Sequence, residues 1–548
     1  MKIKNCITGV LFIFSAVGLF AQSSAISSEK PRLIIGIVVE QMRSDYISRF
    51  QDKFCEGGFK RLLNDGMYCR NASFDHFFTQ TAPGYATIYT GSNPAAHGIV
   101  SNEWYDRVSN KWTMAVADES AKTVGGSYEA GKYSPRNLLA TSISDEIKLS
   151  NFRQSKVFSV SLEPVSAVLS AGFMADGAFW YDDENGTWVT GSYYMKSLPE
   201  WLVDENEKKY ADLYLNKIWD TSFPINEYIS SLTDENPYKT GIAGRFVFPY
   251  SLPELGKKMS ISARYRLLKQ TPFGNTFTKD MAIATIANEN LGKNRFTDMI
   301  TISFTATEQI GNAFGPLSVE VEDAFLKLDK DLEHFLQFID EFVGRQNTLI
   351  FLTSNHGAAQ TPEYLADLKV PAGSFNANSA MSLMRSYLNA VYGNGDWIKG
   401  YFGQQIYLNV DLIENSKLKL DDFRNTIAQF MVQFTGVSNT ITATELQNNQ
   451  YTGDYRRKMQ NSYYPRRSGD VFINLYPGWV EKSQWSTAHN SAYHYDTHVP
   501  LIWYGWKVKR ETIMRPVSMT DVAPTIAAMM NIIAPNAATG KPIEELLK

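Results

Sequence analysis

Apolar runs that end on a single polar residue recur along this chain. Residues 33–39, LIIGIVV, are continuous and largely β-branched, as expected of a parallel strand buried on both faces, and Glu40 follows at once. Residues 156–162 (KVFSVSL), 298–305 (DMITISFT), 348–353 (TLIFLT) and 499–504 read as further strands. Glu308 lies just past the run at 298–305, and Asn355 and His356 just past the run at 348–353. A period near 3.6 takes over at 319–343, where Val319, Val321, Phe325, Leu328, Leu332, Phe335 and Ile339 share one helical face. Helices are also predicted from about residue 44, over 59–63, over 278–291 and over 520–530. Residues 67–74 read as extended, and 179–181 with 188–190 as a hairpin around the turn at 182–186.

The stretch 79–91 (TQTAPGYATIYTG) combines both patterns. A short strand is expected over 74–78. Pro83 suits the first turn of a helix that runs through Ile88 and stops at Gly91. Thr81 then stands at a strand-to-helix junction beside unpaired N–H groups that attract an anion. It reads either as a helix cap or as a nucleophile or anion ligand. Glu40, Thr81, Glu308, Asn355 and His356 fall at equivalent strand ends, so they are expected to converge on one edge of one sheet. The implied architecture is α/β: one large domain over residues 22–548, with irregular inserts at about 195–265 and 360–480 forming a cap.

Across 548 residues the net charge is only −4, with no basic run, which excludes a nucleic-acid partner. Residues 1–21 read as a signal peptide. Lys2 and Lys4 precede an apolar run at 7–20 that is short for a membrane span, and Ala21 is a plausible cleavage residue. The mature protein is therefore expected to be periplasmic or secreted, with no membrane span. Cys55 and Cys69 read equally as a disulfide or as two buried thiols, and two cysteines do not build a structural zinc site.

With Thr81, Asn102, Asn355-His356 and TAH at 487–489 in view, the chain resembles the phosphate-irrepressible alkaline phosphatases of the alkaline phosphatase superfamily. The likeness runs from about residue 32 to the C-terminus, through IVVEQMRSDY, TGSNPAAHGIVSNEWYD, SPRNL, TPFGNT, SVEVEDAFLKLDKDL, NHGAA and YDTHVPLIWYGW. The resemblance implies an alkaline-phosphatase-like sandwich, with a mostly parallel central sheet, helices on both faces and inserted cap regions. It also implies zinc ions at the strand ends, a threonine nucleophile that forms a phospho-enzyme, and an asparagine and a Lys-x-Arg pair that grip the phosphoryl oxygens. Thr81 stands at the nucleophile and Asn102 at the gripping asparagine. The metal positions fall on Glu40, Thr81, Glu308, Asn312, Asn355, His356 and His489.

Several of these depart from the family pattern. Glu40 and Glu308 stand for aspartates, Asn312 for a histidine and Asn355 for an aspartate, while Glu163-Pro164-Val165 replaces Lys-x-Arg. His97 is read as structural, His494 and His498 as neighbours of His489, and Asp496 as orienting His489. A longer carboxylate shifts ligand geometry, and a neutral amide is a poor zinc ligand but a fair calcium ligand. Zinc is accordingly expected to be reduced, absent or replaced by a harder cation such as calcium. The leading expectation is an exported pseudoenzyme with a degraded bimetallic site and little or no phosphomonoesterase activity. It would bind a phosphate ester or other anionic ligand, or a protein partner, in a scaffold role. The alternative is an active metal-dependent hydrolase of phosphate monoesters or diesters that uses Thr81 with altered metal use.

Overall fold

The computed structural model describes residues 29–548, so the segment read as a signal peptide lies outside the described residues. Ten strands build the central sheet: β1 Leu33–Val39, β2 Met67–Ser73, β3 Thr123–Val124, β4 Val157–Ser161, β5 Gly177–Asp182, β6 Thr187–Gly191, β7 Asp298–Phe304, β8 Thr348–Thr353, β9 His498–Gly505 and β10 Glu511–Ser518. Their order is β10-β2-β9-β8-β1-β7-β4-β5-β6-β3. β8, β1, β7, β4 and β5 are mutually parallel, and β10 is parallel to β2. Only β9 and β6 run against the rest. The mixed α/β architecture with a mostly parallel sheet is thus the one expected.

The unbroken apolar run of β1 has a direct cause. Leu33, Ile35, Ile37 and Val39 enter the core on one face of the sheet, while Ile34 and Val38 enter the core on the other. The first core takes in helix Val319–Phe342. The second takes in helices Thr81–Thr90 and Pro164–Ala171. Val39 pairs with Phe304, and Val38 with Thr353, so β1, β7 and β8 end level and discharge their next residues side by side.

A separate four-stranded sheet, ordered Ile398–Phe402, Gln405–Leu408, Val471–Leu475 and Val437–Thr442, has its own core with helices Ala377–Tyr392 and Leu420–Met431. It explains one departure from expectation. Residues 74–78 form no strand; β2 stops at Ser73. Phe77 and Phe78 instead pack with Ile441, Leu446, Met459 and Phe472, and the Phe77 N–H donates to Ser462 Oγ at 2.7 Å. Their aromatic character serves the join between the two sheets rather than a ladder. The helix expected from Pro83 starts at Thr81, and the one expected over 278–291 spans Pro272–Asn288, with proline at its first position. Cys55 and Cys69 are both free thiols. No helix among the described residues is long and apolar enough to cross a membrane.

Candidate functional site

The level ends of β1, β7 and β8 bring Glu40, Glu308 and His356 together, and the 487–489 loop adds His489. Glu308 sits in the first turn of helix Ala306–Phe314. Its Oε1 is 3.3 Å from His489 Nε2 and its Oε2 is 3.8 Å from His356 Nε2. The two imidazoles are stacked, with centroids 3.7 Å apart. Each ring is oriented through its other nitrogen. His356 Nδ1 donates to Gly357 O at 2.9 Å, and His489 Nδ1 donates to Thr79 O at 2.6 Å. Both Nε2 atoms therefore face Glu308, and that of His356 is buried with no hydrogen-bond partner. One donor atom from each of Glu308, His356 and His489 lies within 4.8 Å of the others, close enough to share a cation.

The charges in this cluster are strongly coupled. Burial and the nearby Glu308 charge hold the Glu40 carboxyl well above its ordinary range, even though its Oε1 accepts from Ser166 Oγ at 2.5 Å. Burial alone would raise Glu308 as well, but the hydrogen bond from His489 and the neighbouring imidazoles pull it down. Burial and the His489 charge push His356 down to about 3, whereas Glu308 overcomes burial to raise His489. The site thus holds the Glu308 carboxylate between two rings, with the Glu40 carboxyl, its proton affinity raised by burial, beside it.

Thr81 opens helix Thr81–Thr90 and is half-buried. Asn102 Oδ1 accepts from the Ala82 N–H at 2.8 Å, which leaves its amide N–H₂ to donate. Gln80 ties the surroundings together: its Oε1 accepts from the Asn102 N–H and from Ser101 Oγ, both at 2.8 Å, and its Nε2 donates to Asn490 Oδ1 at 3.0 Å. Gly84, one turn into the helix, leaves room for Asn355; a Cβ there would lie 2.3 Å from the Asn355 carbonyl oxygen.

The remaining expected residues are placed less directly. Asn312 Oδ1 accepts from Gln41 Nε2 at 2.8 Å, and Asn355 Oδ1 accepts from the Gln41 N–H at 3.1 Å. Gln41, held at φ 60°, thus occupies both amide oxygens. Asp496 does not orient His489. Its Oδ2 accepts from Ser491 N and Ser491 Oγ, and the Thr79 carbonyl fills the role expected of it. His97 is structural, between Thr87 Oγ1 and the Ile99 N–H. Glu163 does not stand as a bare negative charge, because Lys269 Nζ reaches it at 3.1 Å and also Asp183 at 3.1 Å. Sequence reasoning passed over Gln41, Gln80, Ser166 and Lys269. Gln41 and Gln80 adjoin singled-out residues in the chain, whereas nothing local marks Ser166 or Lys269.

A family model described as type I phosphodiesterase / nucleotide pyrophosphatase matches residues 34–500. Three curated relatives are each 36% identical: "Calcium-transporting ATPase" of Myroides odoratus over all of both chains, "Alkaline phosphatase PhoV" of Synechococcus elongatus over all of both chains, and "Alkaline phosphatase PafA" of Elizabethkingia meningoseptica over 99% of each. The crystal structure of wild-type PafA is similar with a TM-score of 0.91, covering 95% of this chain and 99% of its own. These findings overturn the expectation of a degraded site in a pseudoenzyme, since full-length relatives at this identity are named alkaline phosphatases. The geometry supplies the physical reason: the longer Glu308 side chain still delivers its carboxylate to both imidazoles.

Proposed function

This chain belongs to the type I phosphodiesterase / nucleotide pyrophosphatase family, within the alkaline phosphatase superfamily, and from that we propose that it is an active, metal-dependent hydrolase of phosphate monoesters or diesters with Thr81 as nucleophile. The observation that carries this reading is the Glu308–His356–His489 group, in which both Nε2 atoms are turned toward one carboxylate and one atom of each residue lies within reach of a shared cation. Two imidazoles and a carboxylate fit a zinc-class cation better than calcium, which prefers an all-oxygen shell. Once bound, such a cation supplies positive charge for a phosphoryl oxygen and favours ionisation of a nearby hydroxyl.

The chain's own groups do the rest. The N-terminus of helix Thr81–Thr90 presents N–H groups beside the Thr81 hydroxyl. Asn102, fixed through Ala82, has its amide N–H₂ free to donate to a phosphoryl oxygen. Lys269 offsets the charge of Glu163, so a dianionic ester meets no unpaired negative charge there. Residues 1–21 would direct export to the periplasm, which N-terminal sequencing of the mature protein would check.

The deciding experiment measures bound metal by elemental analysis and hydrolysis of aryl phosphate monoesters and diesters, in the wild type and in Thr81→Ala. The expected outcome is about one zinc-class ion per chain, from a set of three protein ligands. Hydrolysis should fall on the order of 10³-fold in Thr81→Ala at unchanged metal content. Retention of the wild-type rate by Thr81→Ala would sink the proposal.

A further inference from the structure

Behind the strand-end site lies a cavity of about 920 Å³, within the range of about 300–1,000 Å³ typical of small-molecule pockets. Its walls come from the segment after β1, from β2, from the turn before β9 and from β10. Three arginines face it, Arg43, Arg70 and Arg510, and the His494 and His498 rings line it as well. Among the described residues neither Arg70 nor Arg510 forms a salt bridge, and both are exposed. Of the two acids on the walls, Asp45 is taken by Arg43 at 2.8 Å and Arg49 at 3.7 Å, which leaves Glu511 against two unpaired guanidinium groups.

The His494 and His498 rings lie 4.3 Å apart, which by itself would suit a metal. Their surroundings do not. His498 Nε2 donates to Arg70 O at 2.8 Å, and no carboxylate joins the pair within ligand distance. Burial, then His498, Lys458 and Arg43, lower the proton affinity of His494, as expected where positive charge is already dense. A divalent cation would be repelled here and an anion drawn in. Tyr68, Ser44 and Thr512 add hydroxyl donors to the same walls.

We propose that this cavity is a second ligand site, for a multiply charged oxyanion of the phosphoryl or polycarboxylate class, separate from the strand-end site and gripped by Arg70 and Arg510. The proposal is independent of the catalytic reading. The cavity does share a wall with the strand-end loop. Arg43 Nη1 donates to Ala358 O at 2.8 Å, and the Met42 N–H donates to Ser354 Oγ at 2.9 Å, on either side of His356.

The test is calorimetric titration of the full-length mature protein at low salt with methylenediphosphonate and, separately, with tricarballylate. It uses the wild type, Arg70→Glu/Arg510→Glu, Arg70→Lys/Arg510→Lys and His356→Ala. Saturable binding is expected in the wild type and in His356→Ala. Affinity should weaken about tenfold or more in the charge-reversed pair and be partly kept in the lysine pair, since lysine retains charge but not the bidentate fork. Thermal melts coincident with the wild type establish that the glutamate pair is folded; if it is not, a weakened affinity in the lysine pair tests the same two side chains. Binding of the diphosphonate alone assigns the phosphoryl class, and equal binding of both assigns oxyanions generally. No saturation in the wild type, equal affinity in the glutamate pair, or loss of binding in His356→Ala would each overturn the proposal.

Discussion

Two buried clusters in this molecule each set a glutamate against nitrogen groups, an ammonium in one and two imidazoles in the other. In one, Lys239 Nζ donates to Glu320 Oε1 at 2.7 Å, Asp234 Oδ1 at 2.9 Å, Asp234 O at 2.6 Å and Phe246 O at 3.2 Å, while Tyr250 OH donates to Glu320 at 2.5 Å. The ammonium has no capacity left for anything that arrives from solution. In the other, Glu308 faces two imidazoles, one with an unpartnered Nε2, beside the buried Glu40 carboxyl. Burial is common to both, and each leaves one atom without a partner, Glu320 Oε2 in the first and His356 Nε2 in the second. What separates them is the nitrogen: the Lys239 ammonium is saturated and fastens a loop to helix Val319–Phe342, whereas the His356 imidazole keeps an unused Nε2.

That contrast is sharpest under truncation. Lys239→Ala leaves Glu320 buried without its countercharge, with only Tyr250 OH still donating to it, and should destabilise the fold by about 3–5 kcal/mol, read as a lowered midpoint in denaturant unfolding. His356→Ala removes a buried ring whose Nε2 has no partner but whose Nδ1 donates to Gly357 O, so the loss of stability should be smaller, about 1–3 kcal/mol. Metal content should then fall, together with ester hydrolysis on the order of 10²-fold. If His356→Ala unfolds the protein as severely as Lys239→Ala, the distinction between the two clusters fails.

The smallest expected effect concerns pH. Burial raises Glu320 to about 7 despite Lys239, above the value of about 4.3 expected in an unfolded chain. Between these values the unfolded state gives up the proton first, so this residue's contribution to stability falls as pH rises from about 4.3 toward 7. Glu320→Gln should flatten that part of the stability profile. An unchanged slope would show that Glu320 is ionised throughout.

How much could be seen in the sequence follows the same division between local and distant causes. Glu40, Glu308, Asn355 and His356 could be placed because apolar runs set the strands, and parallel strands that end level put the next residues side by side. His489 was found through resemblance alone, since it lies in a loop with no periodicity. Lys269 was invisible: its pairing with Glu163 joins positions more than a hundred residues apart, and neither lies in a repeating pattern. The run at 74–78 misled because two phenylalanines that serve the junction between sheets look, in isolation, like a strand. The expectation that longer carboxylates would spoil the site measured reach along the side chain. It could not see that Glu308 rides on the first turn of a helix that presents it to both rings.

The missing side chain at Gly84 governs how the two halves of the site are seated. Its backbone lies against the Asn355 carbonyl with no rotamer in between, so the element that bears Thr81 and the loop that bears His356 are seated on each other, main chain to main chain. A contact of that kind does not depend on which side chains line the cavity. Substituting the side chain of Asn312 or Asn355 therefore leaves that main-chain seat, and with it the placing of the hydroxyl relative to the loop, in position. Position 84 has no room for a side chain: even a methyl group there would pry the two halves of the site apart.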